Sequence, residues 1–229
     1  MIIFRNEHER SYLPKAFIAL AICCSIFVCG YLMFFEESEM YPLFKPYNIN
    51  GNFVRNVLII SCMTIYFLRL SVTLLFFFQR KMYWVEAIII ANIMPWIFPY
   101  IAYASGQYSD PIGLIEVIGI LLFFIGSYLN SVSEYLRYSW KQEEQNAGHI
   151  YTGGLFKYAI NINYFGDILL FMGFAAIAHQ FQLLIIPASM GIIFILILIP
   201  LKENYLKQKY GEEFVKYATK TKKLIPLIY

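Results

Sequence analysis

The chain has 229 residues, 59% of them hydrophobic and 19% aromatic, with only 14% charged and a mean hydropathy of +0.58. Soluble domains carry about 45–50% apolar residues, so this composition points to a bilayer and leaves no sizeable soluble domain. The formal net charge of +3 is set between apolar runs rather than in a basic face, which argues against a nucleic-acid partner.

Apolar runs of about 17–25 residues mark membrane spans. They fall at Ala16–Phe35, Val54–Phe78, Val85–Tyr103, Ile112–Val132, Tyr164–Ala178 and Leu183–Leu201. The first is of lipid length and has no small-residue cleavage site after it, so it reads as a span rather than a removable signal. The fifth is short and opens on polar residues, which predicts a tilted, broken or partly re-entrant helix. The expected fold is all-α: a polytopic membrane helical bundle of about six transmembrane helices, or seven if one half-inserted piece is added. It forms a single transmembrane domain over 1–229. Cys23, Cys24, Cys29 and Cys62 all lie inside spans, without a CxxC pair or a Cys/His cluster, so neither a disulfide framework nor a metal site is expected.

Lys and Arg set the orientation. Arg5, Arg10 and Lys15 precede the first span, Arg80 and Lys81 follow the second, and Arg137, Lys141 and Lys157 follow the fourth. The tail holds Lys202, Lys207, Lys209, Lys216, Lys220, Lys222 and Lys223. Six spans put all fifteen of these on one side, out of eighteen basic residues. Lys45, Arg55 and the acidic Glu36-Glu37-Ser38-Glu39 fall on the other. Both termini are therefore expected in the cytoplasm.

Ionisable groups at membrane depth cost about 2.5–3.5 kcal/mol on insertion scales and need a reason. Arg69 lies deep in the second span; it either binds an anion or carbonyl oxygen or pairs with Glu86 or Glu116. Glu86 opens the third span and Glu116 lies one turn into the fourth. These three are the candidate catalytic residues, chosen by depth alone. In the third span Asn92-Met-Pro-Trp-Ile-Phe-Pro99 predicts a kink, because Pro95 and Pro99 each remove a backbone donor.

The fourth span ends in a polar stripe. Asn130, Glu134, Arg137 and Lys141 follow at i, i+4, i+7 and i+11, on one helical face that leaves the bilayer. The loop Gly148-His-Ile-Tyr-Thr-Gly-Gly-Leu-Phe has glycines that let backbone amides approach a phosphate. The tail reads as two amphipathic helices broken at Gly211, with Leu206, Tyr210, Phe214 and Tyr217 on the apolar face and Glu212-Glu213 opening the second. The same lysines suit an interfacial helix on anionic membrane lipids.

The C-terminal hundred residues resemble the steroid 5α-reductase and sterol reductase superfamily, including bacterial reductase-like membrane proteins. The matching residues are Gly154-Leu155-Phe156, Asn163-Tyr164-Phe165-Gly166-Asp167, Glu203, Lys209-Tyr210-Gly211, Phe214, Tyr217 and Ile225-Pro226. The resemblance implies an NADPH-dependent oxidoreductase acting on CH–CH groups, reducing a conjugated C=C bond (an enone) in a steroid or other lipid that enters from the membrane. It implies cofactor contacts at Asn130, Glu134, Lys141, Asn163, Asp167 and Tyr205. It divides the chain into a scaffold with a substrate cavity at 1–129 and a reductase-like cofactor-binding region at 130–229. Ile160-Asn161-Ile162 stands where many relatives have Arg-His-Pro, and Ile197 and Leu201 stand at positions where the steroid enzymes use basic residues. Two other readings stay open. One is an S-adenosylmethionine-dependent methyltransferase of the isoprenylcysteine carboxyl methyltransferase type, although Asn-Tyr-Phe-Gly-Asp favours the reductase. The other is a non-catalytic membrane protein whose cofactor pocket has decayed.

Overall fold

A computed structural model describes residues 11–34 and 51–229. Arg5, Arg10, Phe35, the Glu36–Glu39 stretch and Lys45 lie outside the described residues. The protein is an all-helical, multi-pass membrane bundle. Its helices are α1 (Tyr12–Phe34), α2 (Phe53–Val72), α3 (Trp84–Ser105), α4 (Leu114–Lys141), α5 (Ile162–Ile177), α6 (Ile185–Ile193), α7 (Ile199–Tyr210) and α8 (Glu212–Ala218). No strand occurs among the described residues; one isolated parallel bridge joins Ala159 to Lys222.

Five helical stretches have the length and hydropathy to cross a membrane: Tyr12–Phe34, Phe53–Phe77, Trp84–Ser105, Leu114–Lys141 and Phe181–Tyr210. Each matches an expected span. The fifth expected span forms a continuous helix, α5, but its 16 residues reach only ~24 Å against a hydrocarbon core of ~30 Å. Two spans contain a π-helical turn, Thr73–Phe77 after α2 and Phe194–Leu198 between α6 and α7. Pro200 follows the second of these at the start of α7, and the π-helical turn before it keeps the helix continuous where proline removes a backbone donor. The last span therefore does not stop near Leu201. It runs on as helix to Tyr210, and the first tail helix is its continuation. Gly211, at φ +54°, ends it, and α8 starts on Glu212 and Glu213, as the tail pattern predicts.

The chain divides into two compact units. One contains Phe124–Phe171 and Ile185–Tyr229; the other contains the preceding described residues through Phe123 together with Met172–Leu184.

In the second of these units α1 packs along α3 and α2. α3 passes through Pro95 and Pro99 as one helix. Pro99 has no N–H to offer the Pro95 carbonyl, and Ser25 Oγ of α1 donates to it at 3.3 Å. The aromatic core joins Tyr66, Phe98, Phe174 and Phe123 through ring contacts of 5.3–6.1 Å. At one end of the unit Arg55 is fully buried. Its Nε donates to the Ile177 carbonyl at 3.1 Å, Nη1 to the Tyr108 carbonyl at 2.8 Å, and Nη2 to Glu116 Oε1 at 2.8 Å. Glu116, 1% exposed, also accepts from the Gly113 N–H and lies 2.7 Å from His179 Nδ1. The Arg55 guanidinium and the His179 ring each pack on the Tyr108 ring. Outside the spans, the neighbouring Asp110 carboxylate raises the pKa of the Tyr108 phenol. Three helix ends and the 106–113 loop are thus tied to one cation.

Removing one partner of such a pair leaves a buried charge uncompensated, a loss of about 3–5 kcal/mol. Glu116→Ala is expected to lower the thermal unfolding temperature in detergent markedly, and Arg55→Met with Glu116→Leu to restore much of it. A Glu116→Ala protein as stable as wild type would show that the network holds nothing.

Candidate functional site

The C-terminal unit is built on a close approach of α4 and α5. A Cβ on Gly126 would meet the Gly166 carbonyl and lie 2.5 Å from the Leu170 nitrogen; one on Gly166 would lie 2.7 Å from the Gly126 carbonyl and 2.8 Å from the Asn130 nitrogen. Only glycine permits this backbone contact. The next turns pair Asn130 with Asn163 and Asp167, so the helices run antiparallel there. In the other unit the same two helices touch at Gly119 and Gly173, each seven residues from its partner glycine.

This contact brings the polar stripe of α4 onto the start of α5. Asn130 Nδ2 donates to Asp167 Oδ1 at 2.8 Å and to the Asn163 carbonyl at 3.2 Å. Asn163 Nδ2 donates to Glu134 Oε1 at 3.0 Å, and Glu134 Oε2 is ion-paired with Arg137. Asn130, Glu134 and Asn163 are buried. The chain Asp167–Asn130–Asn163–Glu134–Arg137 is therefore continuous, and the structure joins four of the six expected cofactor residues in it. Asn163 Oδ1 is left buried with no hydrogen-bond partner, as is Glu203 Oε1 in α7.

Positive charge surrounds the Glu134 end. Lys141, an expected cofactor residue, interacts electrostatically with Arg137, Lys209 and Glu134. Tyr205, the last of the six, accepts a hydrogen bond from Lys209 at 3.3 Å. Lys202, which the sequence presents only as one of the basic tail residues, is buried and interacts with Arg137, Glu134 and Lys141. The signal that marks it is its place directly after the end of an apolar run.

The neighbouring loops are occupied by packing. Tyr151 fills the space above Gly153 and Gly154, and Gly154 has φ +53°. These glycines are thus required by the Tyr151 ring and by the turn, apart from any phosphate. Ile160 and Ile162 are core residues. Asn161, between them, bonds the Lys223 carbonyl through its backbone N–H at 3.0 Å and through Nδ2 at 2.8 Å. Tyr217 donates to the Phe156 carbonyl at 2.6 Å, and burial pushes its phenol pKa up. Leu206, Tyr210 and Tyr217 pack around Ile150, Ile160 and Phe214, the apolar face expected of the tail.

The candidate catalytic residues all lie in the other unit. Arg69 is half-buried, with its guanidinium 5.1 Å from the Tyr66 ring centroid. Glu86 is held at both oxygens by Arg80 Nη1, at 3.1 and 3.0 Å, and Glu116 by Arg55 and His179. Sequence reading did not single out Arg55, because it stands in the first turn of its span, where a cation ordinarily snorkels. Among the described residues no cluster of His, Cys, Asp and Glu able to hold a metal ion occurs.

A family model described as "Protein of unknown function (DUF1295)" matches residues 70–221, well over half of the chain. Curated relatives include 3-oxo-5-alpha-steroid 4-dehydrogenase 2 of Homo sapiens, 28% identical over 127 residues, 56% of this chain and 47% of that protein. 3-Oxo-5-alpha-steroid 4-dehydrogenase 1 of Rattus norvegicus is 27% identical over 132 residues, 56% of this chain and 47% of its own length. The Sus scrofa type 2 protein is 28% identical over 112 residues, 49% of this chain and 42% of its own length. The chain spans about half the length of these curated relatives. The resemblance drawn from the C-terminal motifs is borne out.

The glycine contact positions the polar chain, so it is open to a direct test. Gly126→Val is expected to cost about 1–3 kcal/mol by forcing α4 and α5 apart and to loosen the Asn130–Asp167 hydrogen bond. Gly30→Val, where nothing lies within 4 Å of the added Cβ, serves as control. Equal unfolding temperatures for both variants would contradict the close approach.

Proposed function

The chain belongs to the DUF1295 family, and from that membership and the polar centre of its C-terminal unit we propose that it is a membrane-embedded, NADPH-dependent reductase of a conjugated C=C bond in a steroid or other lipid. The observation that carries this reading is the hydrogen-bonded chain from Asp167 to Arg137. It is pre-organised and largely buried, and within it Asn163 Oδ1 is a buried acceptor with no partner.

The residues fit a nicotinamide dinucleotide. Asn163 Oδ1 is a buried acceptor suited to an amide N–H or a ribose hydroxyl, and the Glu134 and Asp167 carboxylates suit ribose hydroxyls. Lys141 supplies a cation for phosphate, and Tyr205 a phenol held by Lys209. The bound cofactor supplies a hydride for the β-carbon of an enone. The protein orients the ring-bearing end through amides that are themselves fixed: Asn130 is locked by two acceptors, and Asn163 by Glu134. Residues 130–229 form the cofactor region in this reading, and residues 1–129 the scaffold and the substrate cavity. We assign Arg69 to the substrate carbonyl, as a guanidinium at membrane depth beside an aromatic face. Glu86 and Glu116, engaged by Arg80 and Arg55, act first in holding the helices. The substrate comes from the bilayer, and both termini lie in the cytoplasm, where the soluble cofactor is made.

Titrating the purified protein with NADPH and, separately, with S-adenosylmethionine tests the reading. NADPH binding is expected, weakened about tenfold or more in Asn163→Ala, since one lost hydrogen bond to a buried group is worth about 1.5 kcal/mol or more. Asp167→Ala is expected to weaken it with no change in unfolding temperature beyond a few degrees. S-adenosylmethionine binding alone would turn the assignment to a methyltransferase; binding of neither would leave a non-catalytic membrane protein. For the topology, a periplasm-dependent reporter fused after Tyr229 is expected to stay inactive.

A further inference from the structure

A polar side chain inside lipid needs a partner, and in the unit built on α1, α2 and α3 one such side chain faces outward. Asn92 lies eight residues into α3, ~12 Å along the helix from Trp84 and well inside a hydrocarbon core ~30 Å thick. Its Nδ2 donates to the Ile88 carbonyl at 2.7 Å, which uses one of its two N–H groups. Among the described residues the second N–H and Oδ1 have no partner. The Pro95 carbonyl on the same helix, left without a donor by Pro99, is served by Ser25 Oγ of α1. The helix thus satisfies the polar group that meets α1 and leaves the one that meets lipid.

The surface around Asn92 is apolar and shaped. Val85, Ile89, Trp96 and Tyr100 are exposed and fall with Asn92 at spacings of three and four, so they share its face of α3. A groove of about 330 Å³ lies between α1 and α3, with Val28 and Leu32 opposite Ala91, Asn92, Pro95 and Trp96. Phe27, next to Val28, is 81% exposed and Trp96 is 77% exposed, more than any other large apolar side chain of α1, α2 or α3. One face therefore carries a hollow, two ridges and a single amide deep in the bilayer.

We infer that this face of α1 and α3 pairs with a second copy of the chain about a two-fold axis along the membrane normal. A two-fold contact requires a patch complementary to itself. Copies inserted in the same direction bring identical residues to the same depth, so Asn92 of one meets Asn92 of the other. A carboxamide both donates and accepts, and the unused N–H of each bonds the Oδ1 of its partner. Hydrocarbon tails offer neither group, and amide hydrogen bonds between helices are among the forces that join helices in lipid. One polar residue in an apolar stripe also fixes the register, since a slip leaves it unpaired. Phe27 and Trp96 supply the ridges and the groove the hollow. The pairing rests on α1 and α3 alone and is independent of the function proposed above.

The full-length protein, labelled with a donor or an acceptor fluorophore, is reconstituted in phosphatidylcholine vesicles, and energy transfer is followed as lipid is added. Transfer is expected to exceed that of random encounter and to fall with dilution along a monomer–dimer curve. Asn92→Leu is expected to weaken the pairing by about 3- to 30-fold, the worth of an interhelical hydrogen bond in lipid, and Asn92→Gln to keep part of it. In a Cys23→Ser, Cys24→Ser background, mild oxidation should crosslink Ile88→Cys, one turn from Asn92 on the same face. It should leave Leu68→Cys, exposed on α2, uncrosslinked. The crosslink retains Asn92 and covers the case in which the leucine variant misfolds. Transfer at the random level in the wild type, equal pairing by Asn92→Leu, or equal crosslinking at both cysteines would overturn the inference. Stabilisation by cholesterol in the vesicles that is lost in Asn92→Leu, with no transfer above random, would give the groove to a lipid hydroxyl and overturn the pairing.

Discussion

The backbone contact between α4 and α5 is the constraint on which the C-terminal unit depends. Side chains at 126 or 166 would hold the helices apart, and Asn130 would then reach neither the Asn163 carbonyl nor Asp167. Within lipid, apolar side chains gain little by leaving one apolar surroundings for another. Close packing of small residues and interhelical hydrogen bonds carry the association instead. Here both occur on the same turns. The glycines bring the backbones together, and the distance they set is the one at which two asparagines and two carboxyl groups form a chain.

Charge is used in opposite ways in the two units. Around Arg55 the donors are spent: Nε, Nη1 and Nη2 each have an acceptor, and Glu116 meets Arg55, Gly113 and His179. Such a closed network leaves little for a ligand and costs several kcal/mol to break, which marks it as architecture. Around Glu134 the balance is open. One carboxylate faces several cations, Asn163 Oδ1 and Glu203 Oε1 lack partners, and Lys202 is buried against the Tyr164 ring. Buried polar groups are ordinarily satisfied; the exceptions fall in both units, among them Asn56 Oδ1 and Ser105 Oγ in one and Asn163 Oδ1 and Glu203 Oε1 in the other.

Spans and helix ends were legible in the sequence because burial in lipid is a bulk property of a run, and because Gly211 and Glu212-Glu213 act locally. The stripe from Asn130 to Lys141 was legible for the same reason, since helical periodicity sets which residues share a face. Partners were not. Glu116 stands out by depth, yet its function as a tie for Arg55 depends on a residue 61 positions away. Arg55 itself looks like a snorkelling cation until the Ile177 and Tyr108 carbonyls close on it. Gly119, Gly126, Gly166 and Gly173 are spaced by sevens, but scattered among Ile, Phe and Leu they read as ordinary membrane composition. Their meaning appears only when the two helices lie together. Lys202 was hidden by the expectation that the helix ends near Leu201, which makes the next lysine an interfacial anchor; the helix continues to Tyr210 and the lysine is enclosed.

The segment Ile160-Asn161-Ile162 is built into the structure around it. Two of its side chains have joined the core, and the third is an amide that grips the Lys223 carbonyl twice. That grip, with the Tyr217–Phe156 hydrogen bond and the Ala159–Lys222 bridge, fastens the tail over the start of α5, directly before Asn163. A cation at 161 would lose both the amide donor and the burial. Because Asn161 directly precedes the first turn of α5, this fastening also sets the position from which Asn163 reaches Glu134.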